Sequence, residues 1–173
     1  MKPTATKLRA RAKGHLGRGL SRSPSPAKNV PGLVHFFVGR ATGGAAIPDI
    51  PLASQVKALE AGLPQTELTD LQDSLALTND RLISLVGLSK STFHRYKSTS
   101  THLDPLVSDR VVRFALLLSK AIKVFGSQED AKKWLMSPQF GLGGEVPLDY
   151  AKTEVGAREV ENLLGRVEYG VYA

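Results

Sequence analysis

From Leu52 onward, apolar residues recur three and four positions apart, the spacing that places side chains on one face of an α-helix. In the segment "TELTDLQDSLAL" this spacing aligns Leu68, Leu71 and Leu75. The last helical segment, "TEVGAREVENLLGRVEYG", repeats it at i, i+3, i+4 and i+7. The residues at those four positions are Val160, Leu163, Leu164 and Val167. The pattern predicts an all-α protein over this part of the chain.

Short polar residues and glycines divide this region into helices, because the former cap helix N-termini and the latter end helices in a left-handed conformation. The predicted N-caps are Asn79, Ser89, either Ser108 or Asp109, Ser127 and Thr153. The predicted stops are Gly62, Gly87 and Gly126, and Pro147 marks a helix start in "PQFGLGGEVPLDYAK". The run "RVVRFALLLSKAIKVFG" is apolar on most sides, which predicts a core helix. Trp134, beside Leu135, is also expected in the core.

Residues 1–50 have a different composition. Lys, Arg, Ser, Pro and Gly dominate "MKPTATKLRARAKGHLGRGLSRSPSPAKNVPG", so we expect a disordered basic tail and linker that buries too little apolar surface to fold. The segment from Leu33 to Val38 is compatible with a short strand or with a linker segment that docks on an unspecified surface. Three roles for the tail stay open: an arm along the DNA backbone, a protease-sensitive segment, or an inert upstream extension.

The segment "NDRLISLVGLSKSTFHRYKS" fits a helix-turn-helix with Gly87 in its turn. Two short helices that pack steeply across a tight turn need apolar residues at set offsets. The residues at those offsets are Leu82, Val86, Leu88, Phe93 and Tyr96. Ile83, which faces the turn, is bulkier than the small residue usual at that position. The pattern predicts a helix-turn-helix over these residues.

The second helix of this motif presents polar and basic side chains, and no acidic residue lies between Arg81 and Asp104. A helix N-terminus of this kind can enter the major groove of DNA. The candidate DNA-binding residues are Ser89, Lys90, Ser91, Thr92, His94, Arg95 and Lys97. We expect Lys90, Ser91 and Arg95 near bases, and Thr92 and Lys97 near phosphates. The alternative is a solvated basic face on an ordinary helical hairpin.

The net charge of +7 is concentrated at the N-terminus. Of the 23 Lys and Arg residues, nine lie in residues 1–48, which contain no Asp or Glu. The rest of the chain therefore holds 14 basic and 16 acidic residues, a balance of −2. A nucleic-acid surface on the folded part must be local, such as the second helix of the motif.

Several classes of chemistry find no support in the sequence. With no cysteine, the chain has no disulfide, thiolate metal site or cysteine nucleophile, which fits a reducing cytoplasm. Its four histidines, His15, His35, His94 and His102, lack metal-binding spacing, so we expect neither metal nor cofactor. The "GLGG" at 141–144 lacks the Lys and Ser/Thr of a phosphate loop and predicts a turn between close helices. No apolar run approaches the ~20 residues of a membrane span. We also expect no enzymatic activity.

The C-terminal half carries a set of motifs that resembles the Xre/MbcA/ParS antitoxin family. These are "SDR" at 108–110, "VFG" at 124–126, "AKKWL" at 131–135, "LGGEVPLD" at 142–149 and "TEVGAREVENLLGRVEYGVY" at 153–172. The resemblance covers about residues 55–173 and leaves 1–50 outside. It implies a bacterial, cytoplasmic antitoxin that represses its own operon through the helix-turn-helix and neutralises a RES-domain toxin that depletes NAD. It also implies a homodimer bound to an inverted repeat, within a larger complex with toxin.

The resemblance gives the C-terminal residues a hypothetical role. Arginines and aromatic residues are favoured at interface centres, and the chain places several of them in and after its last helix. The candidate toxin-binding residues are Arg158, Glu161, Arg166, Tyr169, Val171 and Tyr172. We expect the last helix and the C-terminal residues after it to occlude the active site of the toxin. The alternative is that Tyr169 and Tyr172 fold back on the core of this chain.

The expected organisation has three parts: the tail at 1–50, a helix-turn-helix domain at 51–104 and a helical toxin-binding domain at 105–173. Two other functions stay open. The chain can be a stand-alone transcription regulator whose C-terminal domain dimerises or senses a ligand. A weaker possibility is an enzyme that acts on nucleotides through the glycine-rich turn.

Overall fold

A computed structural model describes residues 32–43, 49–99 and 101–171. These residues form nine α-helices and one short 3₁₀ turn, and the only β-pairing among them is a single bridge between Pro64 and His102. The helices are α1 (Leu33–Ala41), α2 (Leu52–Ala61), α3 (Thr66–Leu75), α4 (Asn79–Val86), α5 (Lys90–Ser98), α6 (Pro105–Phe125), α7 (Gln128–Met136), α8 (Pro147–Tyr150) and α9 (Glu154–Glu168). The 3₁₀ turn is Phe140–Leu142. The predicted all-α fold is confirmed.

The central element is α6, which buries eleven of its 21 residues. It packs against α1, α2, α3 and α4 and also against α7 and α9. The buried apolar side chains form one continuous cluster that extends from Leu33 to Leu164. The predicted core residues Leu68, Leu71 and Leu75 belong to this cluster, each at most 1% exposed.

Most predicted helix ends are confirmed. The hydroxyls of Ser89, Ser127 and Thr153 each accept a hydrogen bond from a backbone N–H in the first turn of α5, α7 and α9. Gly87 and Gly126 end α4 and α6 with positive φ angles of 67° and 78°. Local cap chemistry therefore determines these boundaries.

Two predicted caps are wrong. The N-cap of α4 is Thr78, whose Oγ1 accepts from the Arg81 N–H, one residue before Asn79. The N-cap of α6 is Asp104, because Pro105 occupies the first helical position, where its missing N–H costs nothing. Ser108 is instead buried, and its Oγ accepts from the Leu63 N–H at 2.9 Å.

The N-terminal segment needs a larger correction. Residues 33–41, expected to be disordered, a strand or a docked linker, form helix α1. Leu33, Val34, Phe36 and Val38 are buried in the core against α3 and α6, so the strand alternative is wrong and residues 33–41 are not disordered. Residues 1–31 and 44–48 lie outside the described residues.

The expected boundary at 104/105 coincides with the start of α6. Since α6 packs on elements of both expected domains, the core continues across that boundary. A second link joins the two parts at the surface. The Arg81 guanidinium of α4 donates two hydrogen bonds to the Asp149 carboxylate of α8, at 2.9 and 2.6 Å.

Candidate functional site

The helix-turn-helix is built on a rigid turn. Gly87 has the left-handed φ that favours glycine, and a Cβ added there would lie 2.7 Å from Nη1 of Arg110. That same Nη1 donates to the Val86 carbonyl oxygen at 2.8 Å, which ties the turn to α6. Ile83 is 9% exposed, so the bulky residue under the turn is accommodated. These contacts fix how α5 projects from the molecule.

The apolar residues of the motif pack as their spacing predicts. Leu82, Val86 and Phe93 are fully buried, and Tyr96 is 7% exposed. The Tyr96 hydroxyl accepts from the Asp104 N–H at 3.2 Å, which joins the end of α5 to the start of α6. One face of α5 is therefore committed to the core and the opposite face is available to solvent.

The exposed face of α5 carries most of the candidate DNA-binding side chains. The exposed ones are Ser89, Lys90, Ser91, His94, Arg95 and Lys97. Thr92 is half-buried, and its Oγ1 lies 2.8 Å from the Ser89 Oγ. Ser89 Oγ also accepts from the Thr92 N–H, so these two hydroxyls serve the helix cap. Thr92 is thus less free to contact a phosphate than its sequence position indicates.

The basic side chains of this face differ in their surroundings. Lys90 forms an exposed ion pair with Asp80 at 2.9 Å. The Lys97 ammonium lies 4.9 Å from the centre of the Phe93 ring and 3.2 Å from Oε1 of Gln72. Among the described residues, Arg95 has no carboxylate within salt-bridge distance, and its guanidinium lies 5.8 Å from the Tyr96 ring. Arg95 is accordingly the basic side chain of this face best placed to meet a partner.

The C-terminal end of α9 extends into solvent. Tyr169 is 79% exposed and Val171 is 57% exposed. The Val171 N–H still bonds to the Arg166 carbonyl oxygen at 2.9 Å, so the backbone stays ordered beyond the helix. Tyr169 does not fold back on the core of the described residues, and Tyr172 lies outside them.

The charged candidates on α9 do not form one cluster. Arg158 pairs with Glu154 at 3.1 Å, and Arg166 pairs with Glu159 at 3.3 Å. Glu161 lies on another side of α9, where its carboxylate is 3.8 Å from the Lys120 ammonium of α6. The structure brings Arg166 and Val171 together at one depression and leaves Glu161 at a different one.

The depression beside Arg166 is an apolar groove that the sequence did not reveal. It has a volume of about 450 Å³ and lies between α7, the 3₁₀ turn and α9. Its lining consists of Phe125, Trp134, Gln139, Phe140, Gly141, Leu163, Arg166, Val167 and Val171. Trp134 is half-buried in its wall, 5.6 Å from the Phe125 ring, so its assignment to the core is corrected. Phe140 is 96% exposed at the rim.

The glycine-rich segment next to the groove forms the predicted turn between close helices. Gly143 and Gly144 adopt φ angles of 68° and 88°. A Cβ on Gly141 would lie 2.6 Å from a methyl carbon of Leu163, so the turn packs its backbone directly on α9. The sequence contained a signal for the exposure of Phe140. This residue lies between Gln139 and Gly141, in a glycine-rich segment that favours a turn at the surface.

Two family profiles match the chain in the regions just described. The profile of the "Antitoxin Xre-like helix-turn-helix domain" matches residues 54–116. The profile of the "Antitoxin Xre/MbcA/ParS C-terminal toxin-binding domain" matches residues 120–170. A relative from Photorhabdus laumondii, named "Antitoxin Xre", is 30% identical over 114 residues, covering 65% of this chain and 77% of its own length.

The chain belongs to the Xre/MbcA/ParS family of antitoxins.

Two further relatives carry the same name. "Antitoxin Xre" of Yersinia enterocolitica is 29% identical over 140 residues, covering 70% of this chain and 95% of the relative. "Antitoxin Xre" of Pseudomonas putida is 32% identical over 132 residues, covering 72% of this chain and 80% of the relative. The antitoxin thus combines a helix-turn-helix DNA-binding domain with a toxin-binding domain. Both families are in general non-enzymatic.

The family matches map onto the structure in an informative way. The two matches meet inside α6, since one stops at residue 116 and the other begins at residue 120. Helix α1 of the antitoxin lies outside both matches, although it contributes four side chains to the core. The described residues contain no group of three or more metal-ligating side chains. None of their helices has the length and hydropathy needed to cross a membrane.

Proposed function

We propose that this antitoxin neutralises a RES-domain toxin, an enzyme that depletes NAD, by covering its active site with α9 and the segment that follows. The observation that carries the proposal is the exposed C-terminal end of α9. Tyr169 and Val171 project into solvent from an ordered backbone. Exposed aromatic side chains of this kind bury a large area when a partner covers them.

Arginine suits the same role. Arg158 is three-quarters exposed and Arg166 is about two-fifths exposed, and each is held by one carboxylate of its own helix. Surface ion pairs of this kind contribute only about 0–1 kcal/mol, so either arginine can exchange its partner for an acidic group of the toxin. Arg158, Arg166, Tyr169 and Tyr172 are the residues that we assign to the entrance of the NAD site. Glu161 and Val171 would contact the surrounding surface.

The test is removal of all residues from Tyr169 onward. We expect the truncated antitoxin to leave NAD consumption by the toxin uninhibited, whereas Val155→Ser inhibits as the intact chain does. Val155 is a suitable control because it is 80% exposed at the opposite end of the same helix. Binding of both variants to promoter DNA should match that of the intact chain. Full inhibition by the truncated chain would contradict the proposal.

We further propose that the antitoxin represses its own operon as a homodimer, within a larger complex with toxin. Two copies of α5 would enter successive major grooves of an inverted repeat, with half-sites about one helical turn apart. The exposed and acid-free surroundings of Arg95 support this assignment. The antitoxin would then act in the bacterial cytoplasm and associate with the nucleoid when bound to DNA.

Paired substitutions in α5 test the DNA-binding proposal. Arg95→Ala should weaken binding to the promoter by about 1–3 kcal/mol and leave binding to unrelated DNA nearly unchanged, because a base contact carries specificity. Lys97→Ala should weaken both to a similar extent and make binding less sensitive to salt, because a phosphate contact carries none. Gel-shift titrations at two salt concentrations measure both. If neither substitution changes promoter binding, the basic face of α5 is only solvated and does not contact DNA.

A pull-down from the native host separates this function from the rival one. A stoichiometric partner that consumes NAD only when freed from the antitoxin supports neutralisation. Recovery of the chain alone, or with DNA only, favours the stand-alone regulator.

A further inference from the structure

We propose that the apolar groove beside α9, with Phe140 at its rim, anchors an apolar segment of the toxin next to the C-terminal segment that covers the active site. This inference rests on the proposed function. It assigns affinity to the groove and inhibition to the segment from Tyr169 onward.

The Phe140 side chain is exposed, but hydrogen bonds hold the backbone on either side of it. The N–H groups of Leu142 and Gly144 both donate to the Gln139 carbonyl oxygen at 3.0 Å, and the Gln139 N–H donates to the Glu145 carbonyl oxygen at 3.0 Å. The Gln139 side chain adds two hydrogen bonds to the backbone at the end of α7. The backbone beneath this 96% exposed phenyl ring therefore loses little conformational freedom when a partner covers the ring.

The groove is lined mostly by apolar side chains. Six of its nine lining residues are apolar and large, and Arg166, paired with Glu159, is its only charged member. A groove of this character selects an apolar occupant and rejects a highly charged one such as nucleic acid. At about 450 Å³ it accommodates a few side chains of a protein segment.

The position of the lining residues in the chain favours the toxin as the occupant of the groove. Eight of the lining residues lie within the match to the toxin-binding domain, and the ninth, Val171, follows it directly. A stable interface buries about 800 Å² on each partner, which the three described residues after α9 are too few to supply. The groove adjoins that segment through Val171 and enlarges the same surface.

A second copy of this chain is the main competing occupant. The structure offers a different surface for that purpose on α2, most of which lies within the match to the helix-turn-helix domain. Helix α2 has no buried residue, and its Leu52 and Val56 are 74% and 46% exposed. Dimeric recognition of DNA requires contact near the helix-turn-helix domains, which favours α2 for self-association and leaves the groove to the toxin.

The test compares Phe140→Ser with Leu106→Ser, a 71% exposed control at the start of α6. The probe is the proposed partner, a RES-domain toxin from the same host, purified free of the antitoxin. The dissociation constant is measured by calorimetry. We expect Phe140→Ser to raise Kd at least about tenfold, as loss of an aromatic anchor does, and Leu106→Ser to leave it unchanged. At saturating concentration, Phe140→Ser should still inhibit NAD consumption completely.

The outcomes separate the two proposals. A wild-type Kd for Phe140→Ser, alongside inhibition by the intact chain, overturns the groove inference only. Failure of the intact chain to bind or inhibit the probe overturns the proposed function and this inference together. Light scattering of the free chain identifies the competing occupant: loss of a dimer in Phe140→Ser, with toxin affinity unchanged, would assign the groove to self-association.

Discussion

Single residues at the turn of the helix-turn-helix hold α5 in place. Gly87 combines a left-handed backbone with close approach of the Arg110 guanidinium, which itself bonds to the carbonyl oxygen of Val86. A side chain at this position would strain the backbone and displace Arg110. The glycine thus determines both the stability of the turn and the direction of α5.

We predict that Gly87→Ala lowers the free energy of unfolding by about 1–2 kcal/mol, the cost of a left-handed alanine. Promoter binding should fall as well, because α5 is no longer held by the turn. The control is Gly165→Ala near the C-terminal end of α9, where a Cβ meets nothing within 4 Å. That variant should gain about 0.5–1 kcal/mol from better helix propensity. Urea unfolding measures both, and equal effects of the two alanines would refute the argument.

The link between Arg81 and Asp149 depends on the charge of the aspartate carboxylate. The two hydrogen bonds from Arg81 hold the pKa of Asp149 below its ordinary value, although partial burial opposes them. The stabilising contribution is therefore complete above the ordinary aspartate pKa of about 3.9, and is lost as the pH falls through the lowered pKa. Asp149→Asn should cost about 1 kcal/mol at pH 7, because both side chains are about one-third exposed.

Urea unfolding at pH 7 and below pH 4 checks this dependence. The stability difference between the wild type and Asp149→Asn should shrink at the lower pH. Asp80→Asn is the matched control, since its ion pair with Lys90 is three-quarters exposed. It should change stability by less than about 0.5 kcal/mol. A difference for Asp149→Asn that stays constant with pH would show that the carboxylate charge is not what binds Arg81.

At the scale of elements, α1 depends on one buried carboxylate. The two oxygens of Glu67 in α3 accept from the N–H groups of Leu33 and Val34 at 2.7 and 2.9 Å. Glu67 is 2% exposed, and burial raises its pKa despite these hydrogen bonds. A raised pKa means that stability from this group is complete below the ordinary glutamate pKa of about 4.3 and declines as the pH rises through the raised value.

We predict that Glu67→Ala destabilises the protein by about 2 kcal/mol at pH 7, because two buried first-turn N–H groups lose their acceptor. Glu67→Gln should recover part of this loss and remove the pH dependence. Relative to the wild type, the glutamine variant should gain stability between pH 4 and pH 7. Glu60→Gln, on the exposed side of α2, is the control and should stay within about 0.5 kcal/mol. An unchanged pH profile in Glu67→Gln would exclude the carboxylate as its source.

Helices α1, α5 and α7 differ in how far their structure can be predicted from the sequence. The start of α5 was predictable because Ser89 caps a turn three residues away. Helix α1 was missed because its cap, Glu67, lies 34 positions along the chain from Leu33. Trp134 and Leu135 are neighbours, yet about 100° of helical rotation puts one in the groove wall and the other in the core. Faces and caps set by distant elements are not encoded in local spacing.

For the whole molecule, the shared core matters more than the division into DNA-binding and toxin-binding parts. Helix α6 begins at the expected boundary. However, it packs both on α1 to α4, which precede it in the chain, and on α7 and α9, which follow it. Arg81 and Asp149 add a link outside the core. Two functions therefore rest on one folding unit, in contrast to domains joined by a free linker.

We predict that the intact chain unfolds in one cooperative transition and that residues 105–173 do not fold alone. That fragment would keep α6 to α9 but expose the apolar surface of α6 that α1 to α4 cover, with no element to replace them. Near-ultraviolet circular dichroism of Trp134 should show no fixed environment in the fragment, and adding residues 1–104 should restore part of the signal. Two separate transitions in the intact chain, or a native spectrum from the fragment alone, would show that the toxin-binding part is an autonomous domain.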